Sequence, residues 1–294
     1  LATGDNSQFL RHWHEVSLSR IDFKQKTYGT FSSELKWFPY SKGGEARKWY
    51  GNHDLIINWE KNGLELKNRK DDAGKRIATL KNLEFMFFPA ITWSLTSSTG
   101  FLCSRIRPNG FVFDTNGMSA FPKKSQENLE HGAAILNSNI GQEALKILNP
   151  TMAFQSGDIS RVPIPINLGT QICTSEITRL IDISKRDWDS FETSWGYAQN
   201  PLLDTTQETR SLEDRFRSIV DIYKELIAET KQLEEQNNYN AAKVFKLEKV
   251  FDPIVKTENI TLNINPEYRY IGDASEEEKR KRFQLDTMAE LLSY

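Results

Sequence analysis

The chain has 294 residues, of which 38% are hydrophobic, and its formal net charge at pH 7 is -2. A chain of this length can bury one large core or two modest ones. With two Cys, neither in a metal-ligand spacing, and no apolar run long enough to cross a bilayer, the composition excludes a disulfide scaffold and gives no sign of a membrane span. We expect a soluble, cytoplasmic protein with its thiols reduced.

The charges are distributed unevenly along the chain. Residues 1–182 carry 22 Lys and Arg against 18 Asp and Glu, whereas residues 183–294 carry 16 against 22. Within the first region, residues 20–81 hold 14 cations against 8 anions. Such an excess can face phosphates, and a solvated surface is the alternative. The change in character predicts a division into residues 1–182 and residues 183–294.

A short stretch near the start combines cations, large rings and a pair of glycines. Residues 36–51 read KWFPYSKGGEARKWYG. Gly43 and Gly44 allow backbone conformations that other residues avoid, and their N–H groups can meet an anion. The flanking cations could contact phosphate while the rings pack on sugars or bases; these residues are Lys42, Arg47, Lys48, Trp49 and Tyr50. On spacing alone, a tight turn with buried rings and solvated cations is favoured.

The next part of the chain predicts short strands. Residues 54–59 form a β-rich run, and residues 67–76 read as an exposed polar loop that either contacts phosphate groups or is simply solvated. Further β-rich runs follow at residues 85–88, 91–94, 101–106 and 111–113. Short connections between strands require antiparallel pairing, so a mainly antiparallel sheet is predicted.

Three side chains of these strands are candidates for the surface that Lys42 and its neighbours would form. Arg105 and Arg107 lie two residues apart and would share one face of a strand, either as a base-reading or phosphate-contacting pair or in salt bridges. Burial is the default expectation for Trp93.

His12 and His14 have no third ligand nearby, so no metal site is predicted.

Helical spacing dominates from residue 130 onwards. Apolar periodicity predicts helices over residues 130–148 and residues 173–184. A heptad seam runs from Leu212 to Leu233 with Thr230 as its polar member, which predicts a helix paired with another helix. Ser211 with Asp214, and Ser275 with Glu278, have the spacing of capping boxes. The fold class predicted is α+β, with a mainly antiparallel sheet followed by a helical region.

Several short pieces resemble one enzyme family in the same order. They are residues 36–51, ITWS at 91–94, FDTNGMS at 113–119, LNS at 136–138, DWDSFE at 187–192 and NPEYRY at 265–270. Together they resemble the target-recognition region and following segment of the adenine-specific DNA methyltransferases of bacteriophage-exclusion systems, of the BREX and Pgl type. The helix with LNS and the Pro-rich residues 162–166 also resemble the recognition domains of Type I restriction specificity subunits.

The resemblance implies a DNA target-recognition domain in residues 1–182, a helical linker and spacer in residues 183–294, and truncation at the C-terminus. The catalytic motifs of such enzymes, a Gly-rich loop for S-adenosylmethionine and an Asn-Pro-Pro-Tyr-like motif, do not occur; the nearest match, at residue 265, has Glu267 in place of the second Pro. We therefore predict no catalytic residues, no cofactor in this chain, and no methyl transfer by the chain alone. S-adenosylmethionine is expected in a separate catalytic domain.

The resemblance also assigns partners and a binding surface. Double-stranded DNA, the catalytic domain and other defence-system subunits are the expected partners. The surface expected to face DNA comprises Lys42, Gly43, Gly44, Arg47, Lys48, Trp49, Tyr50, Arg105 and Arg107, bordered by Trp93 and Ser94. The alternative function is architectural, with the acidic helical half docking the methyltransferase to other subunits.

Overall fold

The computed structural model describes residues 1–97, 99–122, 128–165, 172–203, 211–272 and 274–293. The chain forms two compact units. Unit 1 comprises Leu1–Asn137 and Gly141–Ile164, and unit 2 comprises Ser138–Ile140 and Pro165–Tyr294. The predicted α+β class is confirmed. The predicted division of the chain into residues 1–182 and residues 183–294 stays a prediction.

The secondary structure comprises short strands and helices of widely different length. The strands are β1 Leu10–His12, β2 Trp37–Ser41, β3 Leu55–Asn58, β4 Ala90–Ser94, β5 Arg105–Arg107, β6 Val112–Phe113 and β7 Gly117–Ala120. The helices are α1 Asn6–Phe9, α2 Glu60–Asn68, α3 Leu129–Leu136, α4 Asn139–Leu148, α5 Ser156–Ile159, α6 Thr174–Asp189, α7 Leu212–Val244, α8 Pro266–Arg269 and α9 Glu276–Ser293. Among the described residues, no helix is both long and apolar enough to cross a membrane.

The strands of unit 1 form two sheets. The first has the order β1-β3-β2-β6, in which β3 pairs antiparallel with β1 and β2, and β6 runs parallel to β2. The second has the order β5-β4-β7 and is antiparallel throughout. The mainly antiparallel arrangement is therefore confirmed, but the strands after residue 85 divide between two sheets instead of forming one meander.

The core of unit 1 lies against the first sheet. Phe38 and Tyr40 of β2 and Ile57 of β3 are fully buried and contact Phe87 and Val112 in one cluster. The aromatic residues around Phe87 were expected to form a strand over residues 85–88, and this is wrong. Phe87 has a φ of 72°, a left-handed value incompatible with a strand, and the chain turns there so that the Phe87 amide reaches Phe111 O at 2.8 Å.

The helix predicted over residues 130–148 is in fact two helices, α3 and α4. They approach so closely that a Cβ atom on Gly141 would lie 2.0 Å from Ile135 O, a contact that only glycine permits. Between them, Asn137 fixes the chain by bonding Ser104 with its side-chain amide. Periodicity shows which residues are apolar, but it does not reveal such a break.

Unit 2 is organised around α6 and α7. Arg179 of α6 pairs with Glu229 of α7 at 2.7 Å, and Glu176 accepts a bond from Asn240 at 3.4 Å. As the residue number rises in one helix it falls in the other, so the two helices are antiparallel. This is the paired helix that the heptad seam predicts, although α7 extends further than the seam.

The predicted capping box is complete at Ser275, and at Ser211 its side-chain half is present. Ser211 accepts a bond from the Asp214 amide at 3.2 Å at the start of α7. The Ser275 amide donates to Glu278 Oε2 at 2.8 Å before α9. These bonds occupy backbone groups that a helix end otherwise leaves without partners.

Candidate nucleic-acid interface

The glycine-pair loop, which we define as residues 42–50, follows β2 and rests on β4 and the turn before β7. Gly43 has a φ of +100°, and a Cβ atom there would lie 3.0 Å from Asn116 O. Gly44 has a φ of +119°, and its carbonyl accepts a bond from Ser94 Oγ at 2.7 Å. The pair of glycines is thus required by backbone conformation and, at Gly43, by close approach.

The end of the loop is joined to β5 through backbone hydrogen bonds. The Trp49 amide donates to Ser104 O at 2.9 Å, and the Ile106 amide donates to Trp49 O at 2.8 Å. Trp49 has a φ of 68° and a side chain that is only 1% exposed. An isolated parallel bridge between Trp49 and Arg105 therefore fixes the loop at its far end.

Two buried arginines strengthen this attachment. Arg105 Nη1 donates to Arg47 O at 3.0 Å, and Arg47 Nε donates to Tyr50 O at 2.6 Å. The Arg47 and Arg105 side chains are 2% and 1% exposed. Their guanidinium groups bond loop carbonyls, and charge-assisted hydrogen bonds of this kind are stronger than neutral ones. Both arginines thus stabilise the loop through buried hydrogen bonds to its carbonyl groups.

Arg107 occupies a separate buried position. Its Nη1 donates to Ser119 Oγ at 2.9 Å and its Nη2 to Phe88 O at 3.3 Å, while the guanidinium lies 5.1 Å from the centre of the Phe113 ring. It makes no ion pair with any described residue. Burial lowers the pKa of Arg107 to about 9, so the side chain is still charged at neutral pH.

Several predicted surface residues are therefore buried, and their expected exposure is wrong. They are Arg47, Trp49, Arg105 and Arg107. Strand alternation is correct, since Arg105 and Arg107 share a face and Ile106 lies on the other. The shared face points inward because carbonyl oxygens and aromatic rings receive the two guanidinium groups. Trp93 follows its default expectation, and its Nε1 donates to Phe154 O at 2.9 Å.

The remaining candidates are accessible in different degrees. Gly44 is exposed, Lys42, Lys48, Tyr50 and Ser94 are half-buried, and Gly43 is buried. Lys42 makes no ion pair or hydrogen bond with a described residue. The ring of Tyr50 packs edge-on against His53 at 4.8 Å. Contact of these residues with DNA stays a prediction.

A cleft of about 210 Å³ lies beside the loop. It is lined by Gly44, Glu45, Ala46, Ser94, Thr96, Ser97, Phe101 and Cys103. The Phe101 side chain is 41% exposed there, and Lys146 Nζ lies 5.9 Å from the centre of its ring. Sequence reasoning identified Gly44 and Ser94 but missed Phe101 and Cys103, which were read only as members of a strand.

The basic hairpin, defined as residues 70–76, is a second cationic feature of unit 1. Lys70 and Arg76 form an antiparallel bridge, and Asp71 Oδ1 accepts bonds from the amides of Ala73 at 3.1 Å and Lys75 at 2.8 Å. Asp71 thus shapes the turn. The exposed side chains of Lys70, Lys75 and Arg76 make no ion pair with a described residue.

The motif nearest to a catalytic Asn-Pro-Pro-Tyr sequence has a structural role. Asn265 is 1% exposed, and its Oδ1 accepts a bond from the Glu267 amide at 3.1 Å. Its Nδ2 donates to Thr257 O and Ile260 O, both at 2.8 Å. The amide that would meet a flipped adenine is thus fully engaged in capping α8, and the residues around it do not fit the role of a methyl-transfer site.

Metal ligands are likewise not grouped in the part of the chain that the structure describes, since it contains no set of three or more His, Cys, Asp and Glu side chains in position to hold an ion. His12 and His14 stack on one another with ring centres 5.5 Å apart. The end of the Pro-rich piece, residue 166, lies outside the described residues.

Comparison with known proteins gives a consistent relationship. No family model matches the chain. It is 33% identical over 294 residues to the adenine-specific methyltransferase BrxX of Escherichia coli O9:H4 (strain HS), covering 99% of this chain and 22% of that protein. It is 39% identical over 210 residues to the adenine-specific methyltransferase PglX of Lacticaseibacillus casei (strain Zhang), covering 71% of this chain and 17% of that protein.

The chain therefore spans about a fifth of the length of the curated relatives that it matches. The similarity covers nearly all of this chain and confirms the resemblance to this enzyme family. The chain is a homologue of one segment of the adenine-specific methyltransferases of the bacteriophage-exclusion systems, of the BREX and Pgl type.

Proposed function

We propose that this chain supplies DNA target recognition for an N6-adenine-specific methyltransferase whose catalytic domain lies outside these residues. The observation that carries the proposal is the construction of the glycine-pair loop. Buried Arg47 and Arg105 and the bridge at Trp49 hold the loop in place, while Lys42 and Gly44 remain accessible beside a cleft. A preorganised loop loses little conformational entropy when it meets a ligand, which favours specific binding.

The charge of unit 1 supports DNA as the ligand. Lys42 and the cations of the basic hairpin have no carboxylate partner among the described residues. Contacts from such side chains to phosphates supply the sequence-independent part of DNA affinity. In this proposal the loop and the cleft read the bases and the basic hairpin contacts the backbone.

The proposed division of labour follows the sequence. Residues 1–182 recognise DNA, and residues 183–294 form a helical spacer that leads to other parts of the methyltransferase. S-adenosylmethionine and the residues that transfer the methyl group belong to the catalytic domain. A methyl-transfer assay with labelled S-adenosylmethionine checks this: the purified chain incorporates no label into DNA, and incorporation into adenine would overturn the division.

Binding of specific duplex DNA by the whole chain tests the proposal. Duplexes enriched by the chain from a random library provide the preferred site, and binding is then measured by fluorescence anisotropy at several salt concentrations. We expect Lys42→Ala and a combined Lys70→Ala, Lys75→Ala, Arg76→Ala variant to lower the salt slope by about 0.9 per lost phosphate contact. Lys249→Ala, an exposed lysine of unit 2, is the matched control. No enrichment, or slopes equal to the control, would contradict the proposal.

A second candidate function is architectural, in which unit 2 docks the methyltransferase to other subunits of the defence system. Exposed apolar side chains on unit 2 favour it: Ile271 is 68%, Leu285 60% and Leu292 85% exposed. The DNA experiment separates the two functions, because a docking module does not enrich a duplex sequence.

A further inference from the structure

Unit 2 contains a small cleft of about 120 Å³ where the end of α6 meets the first half of α7. Its lining residues are Arg186, Ser190, Pro201, Leu202, Arg215, Ile219, Ile222 and Tyr223. The cleft is far smaller than a nucleotide needs, yet it has two cationic side chains from different helices on its wall. Clefts in which polar groups converge on an apolar wall are typical of ligand sites.

Neither arginine is neutralised by a described carboxylate. Arg186 makes no side-chain hydrogen bond or ion pair with a described residue, and Arg215 donates one bond, from Nη1 to Leu202 O at 3.2 Å. Since a guanidinium has five N–H donors, most of the donors at this cleft have no partner among the described residues.

The carboxylates next to these arginines in the sequence are already engaged. Asp187 accepts bonds from the amides of Asn263 and Ile264, both at 2.9 Å. Asp189 pairs with Lys185, and Glu213 pairs with Arg217 at 2.5 Å. Arg186 and Arg215 are the charged side chains that line the cleft, and the charges of Asp187 and Glu290 lie close enough to help raise the pKa of Tyr223.

Tyr223 adds a neutral donor to the same wall. Burial of its ring raises the pKa of the hydroxyl, so it keeps its proton at neutral pH. The hydroxyl makes no hydrogen bond with a described residue, while the ring packs against Phe283 with centres 6.1 Å apart. The apolar lining by Leu202, Ile219 and Ile222 lowers the local dielectric and so strengthens attraction to an anion.

We propose that this cleft binds a single phosphoryl group, held by the guanidinium groups of Arg186 and Arg215 and by the hydroxyl of Tyr223. Planar guanidinium groups bond phosphate oxygens with two donors at once, and a hydroxyl that keeps its proton completes the set. The site is distinct from the glycine-pair loop and does not depend on the DNA-recognition proposal. The phosphoryl group belongs either to a free anion or to the DNA backbone.

Calorimetric titration of the whole chain with inorganic phosphate tests the site. We expect saturable binding that Arg186→Gln weakens about tenfold or more, because a hydrogen bond between charged groups contributes about 1.5–3 kcal/mol. Arg217→Gln is the matched control, since Arg217 lies on α7 two residues from Arg215 but is 71% exposed and does not line the cleft. The Arg186 side chain makes no bond with a described residue, so we expect the substitution to leave folding intact.

A second variant guards against an effect on the fold. Tyr223→Phe keeps the packed ring and removes only the hydroxyl, and we expect weaker phosphate binding with an unchanged melting temperature. No saturable phosphate binding by the unmodified chain, or equal affinity in Arg186→Gln and Arg217→Gln, would overturn the proposal.

Competition identifies the source of the phosphoryl group. If the source is DNA, a short duplex displaces inorganic phosphate and Arg186→Gln lowers the affinity for the duplex. If the source is a free anion, adenosine monophosphate displaces inorganic phosphate while the duplex does not. Either result supports the phosphoryl site. If neither ligand displaces inorganic phosphate, the cleft does not accept a phosphate ester and the proposal is wrong.

Discussion

Tyr40 donates its hydroxyl hydrogen to Asp114 Oδ2 over 2.5 Å, and this bond joins β2 to the turn between β6 and β7. Asp114 Oδ1 accepts a second bond from the Asn116 amide at 2.7 Å, and the Asp114 amide donates to Ser41 O at 2.8 Å. The motif at residues 113–119 therefore has an architectural role. It holds the turn on which Gly43 rests, and through Gly43 it positions the glycine-pair loop.

Replacement of Tyr40 by Phe removes this bond without changing the packing of the ring. We expect the free energy of unfolding to fall by about 1–3 kcal/mol, because the buried carboxylate of Asp114 loses a donor. Chemical denaturation followed by tryptophan fluorescence measures the change. An unaltered midpoint would show that the bond contributes nothing net to stability.

Tyr40 also predicts a pH dependence. Burial, with the adjacent Asp114 carboxylate, raises the pKa of Tyr40 well above its ordinary value of 10.0. The unfolded chain loses this proton near pH 10, whereas the folded chain keeps it to higher pH, so stability is lost as pH rises above the unfolded value. Denaturation midpoints between pH 8 and pH 12 should fall less steeply in Tyr40→Phe, and parallel curves for the two proteins would contradict the assignment.

Gly117 shows how tightly the same turn approaches β2. A Cβ atom there would lie 2.3 Å from Ser41 O, so Gly117→Ala must displace backbone. We expect a loss of about 1–3 kcal/mol, as for other overpacked sites. Gly29→Ala, which meets nothing within 4 Å, is the control and should change stability by no more than about 0.5 kcal/mol. Thermal unfolding of the two variants makes the comparison, and equal melting temperatures would argue against close packing at Gly117.

The sequence predicts local features well and long-range ones poorly. The caps at Ser211 and Ser275 are set by residues three positions apart, and both were predicted. Alternation correctly puts Arg105 and Arg107 on one face, but it does not say which face is buried. That depends on Arg47 and Phe113, which are distant in the sequence. The parallel pairing of β6 with β2 likewise depends on contacts that no local pattern encodes.

Substitution of Arg105 tests whether this residue stabilises the glycine-pair loop or reads a base. Because Nη1 bonds Arg47 O beneath the loop, Arg105→Ala should destabilise unit 1 by about 1.5–3 kcal/mol. Lys42→Ala should leave the melting temperature unchanged, since Lys42 makes no bond to a described residue. Differential scanning fluorimetry compares the two variants. Unchanged stability in Arg105→Ala, together with a relaxed choice of base in DNA binding, would restore the base-reading role.

Arg107 gives the opposite expectation, because it is a fully buried cation without a carboxylate partner among the described residues. Removal of its charge from the interior relieves a desolvation cost that the bonds to Ser119 and Phe88 offset only in part. We expect Arg107→Met to keep or raise the melting temperature, since Met fills a similar volume beside Phe113.

The same substitution at Arg269 is the matched comparison. Arg269 pairs with Glu290 at 2.9 Å and Asp286 at 3.6 Å, so Arg269→Met separates an ion-pair network and should lower stability by about 1 kcal/mol. Thermal unfolding of both variants in the whole chain shows whether the melting temperature is kept or raised in Arg107→Met and lowered in Arg269→Met. A loss in Arg107→Met as large as that in Arg269→Met would show that the hydrogen bonds and ring contacts of Arg107 outweigh its burial, and that the side chain stabilises the second sheet.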